Sequence, residues 1–296
     1  MFKWHLQIAL LAGILLASPA SALTVGLGAA SPYTILAAGS TGVTSASAGN
    51  VSFGPSAQIE GSVGGRNVIQ SGPSVTVTEN LDGGTVIASG LAVEGTQSTL
   101  TPAQWSQIHS DLIVASTDAS GRAATNSGGL SLTINGSHTL SAQPGGDGVT
   151  VYDITSLTLS ASDVLTLSGG GNPNAEFILN VAGNLTLGSS AEIRLVDGLE
   201  AANVLFNLED ANASGFDGPS ATIGASATVR GIFIGPYRDW QLGSATSNPA
   251  TRILMSGFTG QFADITPPPV PDVPEPSTMV LLGLGLTMLG LYKRVR

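Results

Sequence analysis

The chain has 296 residues, with 39 glycines, 42% hydrophobic residues and only 10% charged ones, and it contains no cysteine. Without thiols it can form neither a disulfide scaffold nor a thiolate-ligated metal centre, and its apolar content at low charge excludes generic disorder and a long coiled coil. Twenty acids against ten bases give a formal charge of −10, the wrong sign for neutralising phosphate, so nucleic acid is excluded as a partner.

The first 22 residues read as a secretory signal peptide. Lys3 gives a positive start, residues 6–17 are apolar, and Ala20-Ser21-Ala22 is an A-x-A cleavage site, with Ala20 and Ala22 as the small residues and the cut expected after Ala22. The alternative, an N-terminal membrane anchor, needs about 20 apolar residues, more than this run supplies.

Residues 51–95 and 130–260 are built from stretches of four to seven residues in which apolar side chains alternate with Ser or Thr. Examples are Ser74 to Thr78, Leu130 to Ile134, Leu157 to Ser160 and Asn184 to Leu187. Period two is the mark of a strand buried on one face, and Gly, Asn and Pro punctuate the stretches as turns. A motif G-x-S-[AV]-x-[IV] recurs at Gly54, Gly72, Gly188, Gly218 and Gly224. The intervals within each group are multiples of six. The gap from Gly72 to Gly188 is not, so an insertion breaks the register. A turn glycine, small residues and an inward aliphatic repeated in this way predict stacked coils of a β-solenoid.

The inserted segment contains one clear helix. Thr101-Pro102-Ala103-Gln104 is a capping box with proline at the first helical position, and Trp105, Ile108, Leu112 and Ala115 fall on one face. The pattern predicts a helix over about 102–117, packed along the side of the solenoid and accounting for the register break.

From Gly148 the chain resembles the second half of the ice-binding-protein-like β-solenoid family of microbial secreted proteins. The segment Gly171-Asn172-Pro173-Asn174-Ala175-Glu176-Phe177-Ile178 carries the resemblance, followed in order by Gly183 to Thr186, Leu195 to Gly198 and Ala202 to Asn207. Tyr33 to Ala37 resembles the family's first strand. The related choice-of-anchor A surface proteins share this character. Both imply a mainly β fold, a parallel solenoid with one flanking helix, over residues 23–264. The stretch Gly231 to Trp240 departs from the family pattern, because Tyr237, Arg238 and Trp240 are bulky insertions that put in doubt a flat face on the last coils.

Residues 265–273 form a proline-rich linker, an extended stalk. Then come Pro274-Glu275-Pro276, an uncharged run over residues 279–292, and Lys293, Arg294 and Arg296. This arrangement, residues 274–296, resembles the PEP-CTERM sorting signal of Gram-negative bacteria. It implies an exosortase as partner, a C-terminal apolar helix in the membrane over 279–292, and the three basic residues as a cytoplasmic stop. The basic residues at the ends leave residues 23–276 with six arginines, no lysine and all 20 acids, a charge of about −14. Neutral ligands therefore suit the body better than polyanions.

Three functional classes follow. An outward Thr/Ser lattice on a flat parallel sheet, with Thr158, Ser160, Thr166 and Thr186 as candidates, would order water and bind ice. A structural or adhesive surface protein, touching extracellular polysaccharide or serving as a spacer, needs no special residues. An enzyme is disfavoured: beyond the signal only His109 and His138 remain, and no G-x-S-x-G, H-E-x-x-H or P-loop occurs. The acid pairs Asp147 with Asp153 and Glu209 with Asp210 read as solvated surface. No EF-hand or calcium nonapeptide spacing is visible, so no catalytic residue, metal or cofactor is expected.

Overall fold

The computed structural model describes residues 23–39, 48–125, 132–143, 149–172, 174–209, 221–244, 246–261 and 263–268. Residues 1–22 and 269–296 lie outside them, and with them the apolar segments expected as terminal helices, the signal cleavage site and the sorting motif.

The body is mainly β with one helix, and its described strands pair in parallel. Period-two sequence produces this directly: in Leu157-Thr158-Leu159 the leucines are buried and the threonine faces out, and the same holds for Leu185-Thr186-Leu187. A single coil would leave its leucines half wet, so each needs the next coil to seal it. Coils repeat at close to 18 residues where nothing is inserted. Val51 pairs with Ile69, and Trp240 with Phe258.

Three sides result. The helix side stacks 149–154, Glu176–Val181, Val204–Leu208, 231–235, 251–255, Tyr33–Ala37, 62–65 and 81–83. Five long strands, Ser62–Ser71, Leu81–Ala88, Val149–Leu159, Gly231–Leu242 and Thr251–Gly260, turn a corner from it onto a second, open side. The third side carries His138–Ser141, Val164–Ser168 and Glu192–Val196, and further along Thr246–Asn248, Ala263–Ile265, Gln58–Ile59, Val75–Val77 and Leu91–Val93. Strand pairing thus continues through Ile265, past the expected end of the body, and Thr266 still bonds the backbone of Asn248 and Thr251.

The recurring motif makes one corner. In four copies the serine (Ser56, Ser74, Ser190, Ser226) has a left-handed backbone, and the A-x-I, A-x-V or V-x-V that follows lies on the third side. Ser162 is an additional member that lacks the leading glycine. The serine N–H groups climb from coil to coil: Ser162 donates to the Ser189 carbonyl at 3.0 Å and Ser190 to that of Ala225 at 2.9 Å. Where another corner lies directly alongside, the glycine before the turn makes room for it: a Cβ on Gly224 would stand 2.6 Å from the Gly188 backbone. The Gly218 copy is different: its Ala221-Thr222-Ile223 is a strand of the open side.

Helix α1 spans Pro102–Ser120, three residues beyond the expected end, and its capping box is formed on both arms. It buries Trp105, Ile108, His109, Leu112, Ala115 and Ala119 against Leu36, Ile178, Leu205, Ile232 and Leu254, the outward residues of the helix side. Those strands are therefore apolar on both faces, as Glu176–Val181 shows by being buried throughout. The helix carries the chain past the stack, and the coils from 132 onward wind back. In consequence Thr251–Gly260 sits beside the first coil, with Ile253 against Ile35 and Phe258 against Val51.

Candidate functional site

The open side is built from the outward residues of its strands. Its central column reads, rung by rung, Asn135, Thr158, Thr186, Thr222, Gln241, Thr259, Ser52, Gln70 and Ile87. Parallel strands lie about 4.8 Å apart, so Thr158, Thr186 and Thr222 present three methyl and hydroxyl pairs at that spacing. On one flank the corner glycines Gly188, Gly224 and Gly243, and further along Gly54 and Gly72, leave no side chain to rise above the threonines. On the other flank stand Ser156, Asn184, Asp239, Gly257 and Asn50. Among the described outward residues of these strands, Asp239 carries the only charge. Beyond Thr222 the surface dips into a depression of about 340 Å³ lined by Thr222, Gln241, Gly243, Thr259 and Gln261.

Of the four candidates read from the sequence, the structure brings Thr158 and Thr186 onto neighbouring rungs. Ser160 lies at the corner just past its strand, where its N–H donates to the Asp163 carboxylate at 2.8 Å. Thr166 is on the third side, paired with Thr139 and with Arg194. Thr222, absent from the sequence-based set, completes the ladder. The same alternation that marks Leu-Thr-Leu is present in Ala221-Thr222-Ile223, where it reads instead as one more corner motif.

The bulky insertion leaves this side undisturbed. Gly235 pairs with Met255 and Asp239 with Gly257, so two extra residues bulge at the corner while the open-side register is kept. Trp240 points inward and meets Phe233 edge-on at 4.9 Å. Arg238 is buried, and its guanidinium donates to the carbonyls of Ala182 and Gly183, both at 2.6 Å, and of Glu209.

The third side is chemically different. Glu192 lies 2.6 Å from Arg194 and 3.3 Å from Arg230. Hydrogen bonding by Arg194 holds the Glu192 carboxyl below the usual range, against the opposing effect of burial, and Arg230 adds to it. Neither acid pair considered from sequence is formed within the described residues, because Asp147 and Asp210 lie outside them. Asp153 instead accepts from Asn180 at 3.2 Å, and Glu209 is raised by burial first and by the charge of Asp153 second. Among the described residues no cluster of three or more acids and histidines could hold a metal ion.

A family model described as ice-binding-like matches residues 35–237, more than half of the chain, and one for the PEP-CTERM protein-sorting motif matches residues 272–296. An ice-binding protein from an Antarctic biological consortium is 21% identical, with a TM-score of 0.54 over 85% of this chain and 92% of that one. An ice-binding protein from the Antarctic ascomycete Antarctomyces psychrotrophicus is 20% identical, with a TM-score of 0.52 over 83% and 99%. At these identities the likeness shows the fold. Comparison with curated proteins gives no match. An ice-binding-like body joined to a sorting signal marks an exported surface protein.

Proposed function

The chain belongs to the ice-binding-like family, and from that premise we propose that it is a non-catalytic adhesive protein of the bacterial surface or extracellular matrix, which holds neutral, ordered hydroxylated surfaces through its open side. An exosortase reads Pro274-Glu275-Pro276, the 279–292 segment enters the membrane, and Lys293, Arg294 and Arg296 stop it. The proline-rich stalk then displays the body. One observation carries the reading: a body of charge about −12 keeps one whole side nearly uncharged and faces it with hydroxyls and amides. Repulsion keeps polyanions away, while a flat neutral array loses little desolvation energy on meeting a neutral polysaccharide.

A second reading, ice binding, is favoured by the Thr158–Thr186–Thr222 ladder and by what the structural relatives are titled. The break at Gln241 and the depression beside it shorten the regular array and favour the adhesive reading.

The test uses the full-length protein, wild type and Thr186→Lys, sedimented with crystalline cellulose and with alginate and assayed for thermal hysteresis and ice recrystallisation. Retention on cellulose but not on alginate, reduced at least tenfold by T186K, supports adhesion. Thermal hysteresis and recrystallisation inhibition that T186K abolishes support ice binding instead. No retention on cellulose overturns the adhesive reading.

A further inference from the structure

The stack ends differently at its two ends. In the coil that starts at residue 132 the inward Ile134 and Leu140 are 2% and 3% exposed. At the other end the last rungs are 85–88 on the open side, Leu91–Val93 on the third side and Gln97–Ser98 on the helix side, and no described strand lies beyond them. Val86 continues the inward column of Val51 and Ile69, both fully buried, yet it is 41% exposed. Ile87 beside it is 56% exposed. Leu91 and Val93 are half-buried where Val75 and Val77, one coil earlier, are sealed.

Exposed strand edges are normally blunted by charge or proline. Here Gly83 to Val93 contains neither, although Asp82 and Glu94 stand immediately outside it. In a body of about −12 this neutral rim is a place where two copies meet without like-charge repulsion. We propose that this open end pairs with the same end of a second copy, giving a two-fold, end-to-end dimer.

The geometry selects that occupant. A single extended peptide could satisfy one of the three edges. Another solenoid end of the same cross-section offers three at once. A two-fold axis through the open side turns 85–88 antiparallel onto its own copy and sets Leu91–Val93 of each molecule opposite Gln97–Ser98 of the other. A two-fold contact uses the same end of both molecules, so it closes at two and does not run on as a filament.

The cysteine-free chain allows a clean test. Outward residues stay outward under such an axis, so cysteines at Thr85→Cys and Ile87→Cys together cover axes centred on 85, 86 or 87. Opposed Cα atoms about 4.5–5.5 Å apart are within disulfide reach. Full-length protein carrying both, exported to an oxidising compartment, is expected to run as a disulfide-linked dimer on non-reducing gels. The yield should be at least ten times that of Val114→Cys, an exposed position on the outer face of α1. Adding Val86→Lys should abolish the band. Sedimentation of the unmodified chain should give twice the monomer mass. Cross-linking no better than V114C, a monomeric mass, or a ladder of higher species overturns the proposal, and each outcome is independent of what the open side binds.

Discussion

Arg238 shows how one residue can hold a corner together. Its guanidinium spans the carbonyls of Ala182, Gly183 and Glu209, which belong to two successive coils at the turn between the helix side and the open side. Those carbonyls lie just past the ends of Glu176–Val181 and Val204–Leu208, where the strand ladders stop, so a fixed cation with several donors is an economical way to satisfy them. Removing it leaves buried acceptors unpaired. Arg238→Met should therefore lower the unfolding free energy by about 3 kcal/mol in urea titration. Arg194→Met, which breaks an exposed pair, should leave the urea midpoint nearly unchanged. Equal costs would show that the Arg238 bonds do not hold the corner. In the sequence Arg238 reads as an intrusion into the family pattern, because a buried guanidinium cannot be told from a surface one until its partners, some 30 and 55 residues earlier, are known.

At the scale of elements, legibility followed locality. Helix α1 was readable because its start signal is contained in four residues: Thr101 accepts from the Gln104 N–H while Gln104 Oε1 accepts from the Thr101 N–H at 2.9 Å. Its three extra residues were not, since they are held from outside. Asn180 donates to the Ala119 carbonyl at 3.2 Å and Asn207 to that of Ser116 at 3.1 Å, so the strands cap the last turn of the helix. Thr101→Ala removes one arm of the box and should cost about 1 kcal/mol, read as a lowered urea midpoint at unchanged slope. An unaltered midpoint would mean that docking alone fixes the start of the helix. The corner motif was half legible. Four of its five copies turn the chain at one edge of the solenoid, but the Gly218 copy leads into an open-side strand, because A-T-I can face the core on any of the three sides. The same ambiguity hid Thr222 and put Thr166 in the wrong company.

For the molecule as a whole, the unreadable quantity was the order of the coils. Alternation says that coils stack, but not that Thr251–Gly260 lies between Gly231–Leu242 and the first strand, Tyr33–Ala37. That arrangement follows from α1, which moves the growing chain to the far end so that the later coils wind back toward the beginning. It places the strand at 33–37 between a neighbour about 30 residues away and one more than 200 residues away. Loop closure over such a separation is entropically slow, and the contacts that reward it come late. Until 251–265 arrives, the first coil has an open edge on its 33–37 side, with Ile35, Val51 and Ile59 lacking one neighbour. Pulse-labelled hydrogen exchange during refolding should therefore find the amides of 33–37 and of 251–255 becoming protected together, after those of 176–181 and 204–208, whose mutual pairing is local. If 33–37 gains full protection before 251–255, the first coils close on their own and the chain folds as two independent halves that dock afterwards.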